Sequence, residues 1–247
     1  MNVLSAMAGI NNGEFCKKFT RQNVDIITIG GYNSDAESFK AGLVSSTKEG
    51  RQEFLTCPHH LNIELSEEVE IIRNYNPSWK GLVCVNLRGT DIDSYKLAYD
   101  NKDIDIVEIN AHCRQPATVE AGAGQALLKN PEKLGKVLGE VTSNMSADVG
   151  IKIRANVPGV DTLEIVELIE SYDVKYLHVD AMKEGSDCAD LDIIRKISDK
   201  TGKDLIGNNS VRTHEDYLNM LDSGADSVSV ARAALDGDIK HIFTGDE

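Results

Sequence analysis

Short apolar, β-branched runs alternate along this chain with longer stretches in which apolar residues return every three or four positions. The first kind predicts strands at residues 3–8, 25–29, 82–87, 106–110, 150–154, 176–179, 204–207 and 227–230. The second predicts helices between them, among them 132–141, 162–171, 191–200 and 214–222. Parallel neighbours in a sheet need long crossovers, so strands separated by helices imply a parallel sheet. Eight such strands fit closure into a (β/α)8 TIM barrel, with a doubly wound open sheet as the alternative. The pattern holds across residues 1–247 without a linker or low-complexity run, and a single domain is expected.

The longest interval between strands, residues 30–80, is expected to hold one helix and an extra segment around EFLTCPHHLNIELSEEVEIIRNY. Within that segment a helix is predicted over 66–75, with Ser66 as its cap and acidic residues in its first turn. Cys57, His59 and His60 are three potential metal ligands in four residues, but there is no second cluster to complete a site; a turn is expected there instead.

Composition changes this picture only a little. The 41% hydrophobic and 27% charged content is that of an ordinary globular chain, and no apolar run approaches bilayer-spanning length. The cysteines at 16, 57, 84, 113 and 188 are scattered and form no CxxC pair, so no disulfide scaffold is expected. The opening MNVLSAMAGI lacks the basic flank and apolar core of a signal peptide, and a cytoplasmic protein is expected. Charge matters more. With 40 acidic against 26 basic residues the net charge is −14, which argues against a surface built to grip phosphate backbones. Lys17, Lys18 and Arg21 are expected on a solvated helix face.

Candidate chemistry collects where strands finish, the active end of such a barrel. Strand three ends in Asn86 and Arg88, and strand four in Glu108, Asn110, His112 and Cys113. Strand five ends in Lys152 and Arg154, strand six in His178 and Asp180, and strand seven in Asn208 and Asn209. The period of two puts Glu108 and Asn110 on one face of their strand, and Lys152 and Arg154 on one face of theirs. The turns GNNSVRTHEDY and ARAAL, the latter with Ala231 and Arg232, are candidates for a phosphate cradle of backbone N–H groups. Lys152 is open to several uses: a Schiff-base amine, a phosphate ligand, a charge beside an electron-rich cofactor, or a structural partner of Glu108. Cys113 is open to three: an acid, a metal ligand, or an inert buried thiol.

Taken in order, these segments resemble the tRNA-dihydrouridine synthases, a family of FMN-binding barrels. LSAMAGINNGEF is similar to the family's APMAGVTDxPF, VNLRG to VQLxG, VEINAHC to IDINxGCP and GAGQALLKNP to GAGxxLLxxP. IKIR is similar to VKIR, His178 falls at the histidine of VHGR, GNNSV stands at ANGDI, and GADSVSVARAAL resembles GADGVMIGRGAL. The resemblance implies an FMN cofactor held by Met7, Asn86, Lys152, His178, Asn208, Asn209, Ala231 and Arg232. It implies Asn110 facing the substrate and Cys113 as proton donor while hydride passes from reduced FMN to a uracil-type ring, with a nicotinamide as a candidate reductant. The chain departs from the pattern at His112 and Arg114, which flank the cysteine in place of glycine and proline. It departs again at Asp180, in place of an arginine, and at Ala231 and Ala233, in place of glycines. It also stops soon after strand eight, where the synthases continue into a tRNA-holding helical domain. That and the acidity place tRNA in doubt as partner and bring forward a small pyrimidine, as in dihydroorotate dehydrogenases. A non-catalytic flavin- or phosphate-binding barrel is the alternative outside enzymes, and no membrane partner is expected.

Overall fold

The computed structural model describes residues 1–246. Eight parallel strands close into a barrel in sequence order. They are β1 (Asn2–Leu4), β2 (Ile26–Asn33), β3 (Leu82–Arg88), β4 (Ile106–Ala111), β5 (Asp148–Arg154), β6 (Tyr176–Asp180), β7 (Asp204–Asn208) and β8 (Ser227–Val230). The chain is a (β/α)8 TIM barrel. Strand β1 pairs with both β2 and β8, so no edge is left. Among the described residues no helix is long and apolar enough to cross a membrane.

Two strands differ from expectation. β1 stops at Leu4, because Ser5 to Ala8 leave the ladder to line the barrel mouth. β2 runs on to Asn33, with an irregular register between Gly30 and Tyr32 opposite β3. The interval between β2 and β3 holds two long helices, α2 (Ala36–Lys48) and α3 (Pro58–Tyr75). The helix predicted to start at Ser66 therefore begins eight residues earlier, and the turn expected at Cys57–His60 is its first turn. Pro58 sits at the start, where its missing N–H costs nothing, and Leu61, Leu65, Val69 and Ile72 bury one continuous stripe. Ser66 is interior to this helix and accepts a bond from Asn101 Nδ2 (3.1 Å). Lys17 and Arg21 lie on a short 3-10 turn, Lys17–Arg21, not on an α-helix.

The barrel interior is layered. At its lower end Val3, Ile26, Cys84, Ile106, Tyr176 and Ile206 form an apolar plug. Above the plug the lining turns polar, with Asn86, Glu108, Lys152, His178 and Ser229 all at most 2% exposed. The Tyr176 hydroxyl joins the layers, lying 3.2 Å from Cys84 Sγ and donating to Glu108 Oε2 (3.3 Å). Above the polar layer the barrel opens.

Candidate active site

The strands finish in a cavity of about 950 Å³ at the C-terminal mouth. Of the residues expected at a site, Met7, Asn86, Asn110, Cys113, Lys152, Asn208, Asn209, Ala231 and Arg232 line it. His178 does not. It lies in the polar layer beneath, with Nδ1 2.7 Å from Glu108 Oε2 and Nε2 2.7 Å from Ser229 Oγ. Asn208 Nδ2 donates to that same Ser229 Oγ (2.6 Å), which directs the serine hydroxyl to His178 Nε2 and leaves Nδ1–H to donate to Glu108. Burial, reinforced by Lys152, pushes the His178 imidazole below its ordinary value, which favours its neutral form. Burial alone would raise the Glu108 carboxyl; His178, Lys152 and Asn86 outweigh that and hold it below the usual carboxylate value.

From Glu108 a chain of amides runs up to the cysteine. Asn86 Nδ2 donates to Glu108 Oε1 (2.7 Å), so Asn86 Oδ1 faces Asn110 and accepts from its Nδ2 (2.7 Å). A carboxylate can only accept, and this fixes the direction of both amides. Asn110 Nδ2 also donates to Cys113 Sγ (3.3 Å), while Asn110 Oδ1 accepts from the Cys113 backbone N–H (3.1 Å). Every polar atom of Asn110 is thus engaged within the protein. Cys113 is 8% exposed and opens on the cavity with its sulfur accepting, which leaves its S–H free to point inward.

The loop around Cys113 is braced from behind. Gly124 has φ +59°, and a Cβ there would come within 2.4 Å of the Cys113 carbonyl oxygen. Gln125 N–H donates to that oxygen (2.9 Å). This close approach packs the Cys113 loop against the turn at Gly124. His112 lines the cavity, and its carbonyl accepts from Arg154 Nε (2.9 Å). Burial, with Lys152 and Arg154 adding to it, pushes the His112 imidazole well below its ordinary value, and its Nδ1 has no partner.

Lys152 is 2% exposed and donates to Ser5 Oγ across the barrel. The ion pair with Glu108 considered from sequence does not form; His178 and Asn86 take that carboxylate. Burial pushes the Lys152 ammonium down, with Glu108 and Asp180 opposing. Asp180 pairs with Arg154 Nη2 (2.8 Å) and accepts from Asn209 Nδ2 (2.7 Å), so it ties together the ends of β5, β6 and β7.

On the β7–β8 side the backbone offers donors. The N–H groups of Asn209, Ser210 and Val211, and of Ala231, Arg232 and Ala233, meet no acceptor among the described residues. Asn209 (φ +107°) and Ser210 (φ +54°) bend the first loop sharply. Ala231 has φ −121°, a sign any residue adopts, so alanine is accommodated where the pattern has glycine. The exposed Arg212 and Arg232 line this side, and neither has a carboxylate within ion-pair distance among the described residues.

The dihydrouridine synthase (Dus) pattern matches residues 78–237. The chain belongs to the dihydrouridine synthase family. It is 37% identical to protein MJ0144 of Methanocaldococcus jannaschii over 97% of this chain and 91% of that one. It is 26% identical to tRNA-dihydrouridine synthase B of Pasteurella multocida over 63% of this chain, a stretch spanning 49% of that synthase. In fold it is similar to a thiamine phosphate pyrophosphorylase from Pyrococcus furiosus (TM-score 0.54, 14% identity, 95% of this chain and 86% of that one). FabK from Thermotoga maritima is similar too (TM-score 0.58, 12% identity, 94% of this chain and 58% of that one).

For a dihydrouridine synthase-family barrel, the residues present suit a phosphorylated, electron-rich ring cofactor. Two loops of unpaired N–H groups and two unpaired arginines suit a phosphate, and a buried lysine suits a ring that gains negative charge. His178 takes no part in that fit, since both its nitrogens are engaged below the cavity floor. Sequence reasoning missed the segment Arg51–Glu53, of which Arg51 and Gln52 line the mouth. Glu53 is fully buried against Arg88, whose guanidinium also donates to the Gly31 carbonyl (2.7 Å). Nothing periodic marks a partner 35 positions away. Ser229 was also missed, although the polar alternation of SVSV was a signal for it.

Proposed function

We propose that the protein is an FMN-dependent oxidoreductase that reduces the C5–C6 double bond of a uracil-type ring, with Cys113 as the proton donor. The observation that carries this reading is the opening of Cys113 and Lys152 on one cavity, in a barrel of this family. When bound, reduced FMN supplies a hydride to C6 of the ring. The phosphate of the cofactor would be held by the N–H groups of residues 209–211 and 231–233 with Arg212 and Arg232. Lys152 would balance the negative charge of the reduced ring, anchored by Ser5. Met7 would pack against the flavin, and Asn86 has one N–H left to offer it.

The thiol of Cys113 gives its proton to C5, so the ring gains one hydride and one proton overall. The thiolate left behind is stabilised by the Asn110 N–H and regains a proton from water. Asn110 is therefore a positioning residue that aims the cysteine, in place of a substrate contact. A nicotinamide would restore the reduced cofactor. Relatives of the chain are named for dihydrouridine in tRNA.

Purified protein incubated with FMN should show a bound flavin band in its visible spectrum; protein that stays colourless would overturn the reading. Cys113→Ala should keep the flavin and slow its oxidation by a uracil-type substrate about 10²–10⁴-fold. An unchanged rate would remove Cys113 from the mechanism.

A further inference from the structure

The charges at the mouth are not those of the chain. Seven cationic and three acidic side chains line the cavity of a molecule whose net charge is −14. Several cations elsewhere are neutralised by carboxylates: Lys17 by Glu14, Lys40 by Glu37, Lys136 by Glu132 and Lys200 by Glu167. Arg51 and Arg114 are exposed at the mouth, and neither has a carboxylate within ion-pair distance among the described residues.

These two arginines lie on the Cys113 side. Arg114 follows the cysteine directly. The segment bearing Arg51 is drawn against the same loop by the Ala117 N–H, which donates to Glu49 Oε1 (3.4 Å). Two residues beyond Arg51, the buried Glu53–Arg88 pair pins this segment to the barrel. Arg212 and Arg232 belong to the loops after β7 and β8, across the ring from β4. The cavity therefore has two separate cationic rims, and the cofactor phosphate accounts for one.

Next to Arg114 along the chain, and two residues from the cysteine, is an amide without a partner. Gln115 is 7% exposed and lines the cavity. Its Oε1 is buried with no hydrogen bond, so a turn of the amide is needed to bring that oxygen to a ligand, and its Nε2 donates to nothing among the described residues. A primary amide presents a donor beside an acceptor, the complement of the C=O and N–H on the imide edge of a uracil ring. Left unpaired, a buried amide is costly, which points to a ligand that satisfies it.

We propose that the Cys113 side of the cavity binds a small pyrimidine bearing one anionic group, a phosphate or a carboxylate. Arg51 and Arg114 take the anion, and Gln115 takes the imide edge. The cavity, about 950 Å³, is at the upper end of the range for small-ligand pockets and has room for a second ring beside the cofactor. A nucleic acid needs phosphate contacts along a track, whereas Arg51 and Arg114 both line one cavity of an acidic molecule. A ligand with a single anionic group meets only the mouth. The proposal rests on the flavin-dependent reading above and refines its substrate.

The test is calorimetric titration of FMN-treated protein with uridine 5′-monophosphate, orotate, uridine and an unmodified tRNA transcript. At least one of the two anionic pyrimidines should bind about tenfold or more tighter than uridine, the scale of a charge-assisted contact. A preference for the nucleotide assigns a phosphate, and one for orotate a carboxylate. The double variant Arg51→Gln/Arg114→Gln should bring the preferred anion down to the uridine level. Gln115→Leu should weaken the preferred anion and uridine alike. Equal affinity for uridine and both anions overturns the proposal, as does no binding by any pyrimidine or tighter binding of the transcript. The visible spectrum of the same samples separates the two levels. Absence of bound flavin sinks the oxidoreductase reading itself, whereas flavin-loaded protein without an anion preference sinks the subsite alone.

Discussion

At the scale of single residues, the site is organised by direction. Glu108 accepts and cannot donate, and that asymmetry passes through Asn86 and Asn110 until it arrives at Cys113 as an N–H aimed at sulfur. Asn110→Asp keeps the shape and deletes the donor, and places a carboxylate beside the sulfur instead. We expect iodoacetamide to alkylate Cys113 about tenfold more slowly in that variant at neutral pH, because a neighbouring negative charge disfavours the reactive thiolate. The measurement is the mass of the Cys113 peptide over time, which separates it from the exposed Cys57 and Cys188. An unchanged rate in folded protein would show that the amide chain does not govern the cysteine. The sequence placed Glu108 and Asn110 on one face through their spacing. It could not show which groups they satisfy, because Asn86 and His178 come from other strands, 22 and 70 positions from Glu108.

At the scale of elements, what was legible followed periodicity and what was not followed partners distant in the chain. Six of the eight strands, β3 to β8, and the helices Thr162–Glu170 and His214–Asp222 lie close to the predicted spans, since each repeats its apolar residues at its own period. Helix α3 is longer than predicted because Ser66 and the acidic residues after it resemble a cap, while the apolar stripe already begins at Leu61 and Leu65. The braced loop at Cys113 tests how far one element is shaped by another. Gly124→Ala adds a Cβ against a carbonyl at a positive φ, whereas Gly159→Ala adds one at φ +77° in open space. We expect Gly159→Ala to cost about 1–2 kcal/mol from backbone strain alone, and Gly124→Ala about 3 kcal/mol or more. Urea unfolding of both variants gives the comparison. Equal losses would mean that the Cys113 loop moves aside easily.

At the scale of the whole molecule, the buried polar layer makes stability depend on pH. His112 and His178 are both held below the ordinary histidine value of 6.5 in the folded state. Below that value the unfolded chain binds more protons than the folded one, so acidification favours unfolding, by up to about 1.4 kcal/mol per pH unit for each group. Glu108 acts in the same direction further down. Its stabilisation is complete above the ordinary carboxylate value of 4.5 and is lost as pH falls through its depressed native value. Glu68, half-buried and pushed upward, offsets part of this near the carboxylate range. The melting temperature should be level above about pH 7 and fall as pH drops through 6 toward 5. A flat profile over that range would mean that the two histidines are not held neutral.

The barrel closes where its strands are shortest, three residues of β1 against four of β8. The amino terminus is drawn into this seam by Ser227 Oγ (2.9 Å), and Lys152 reaches across to Ser5 just beyond it. Of the groups proposed to hold the cofactor, Met7 follows β1 and residues 231–233 follow β8, on either side of that seam. A ligand seated there would bridge the first and last strands of the chain, and by mass action its concentration would set how much heat the barrel withstands. In such a molecule the supply of cofactor regulates the lifetime of the protein as well as its turnover.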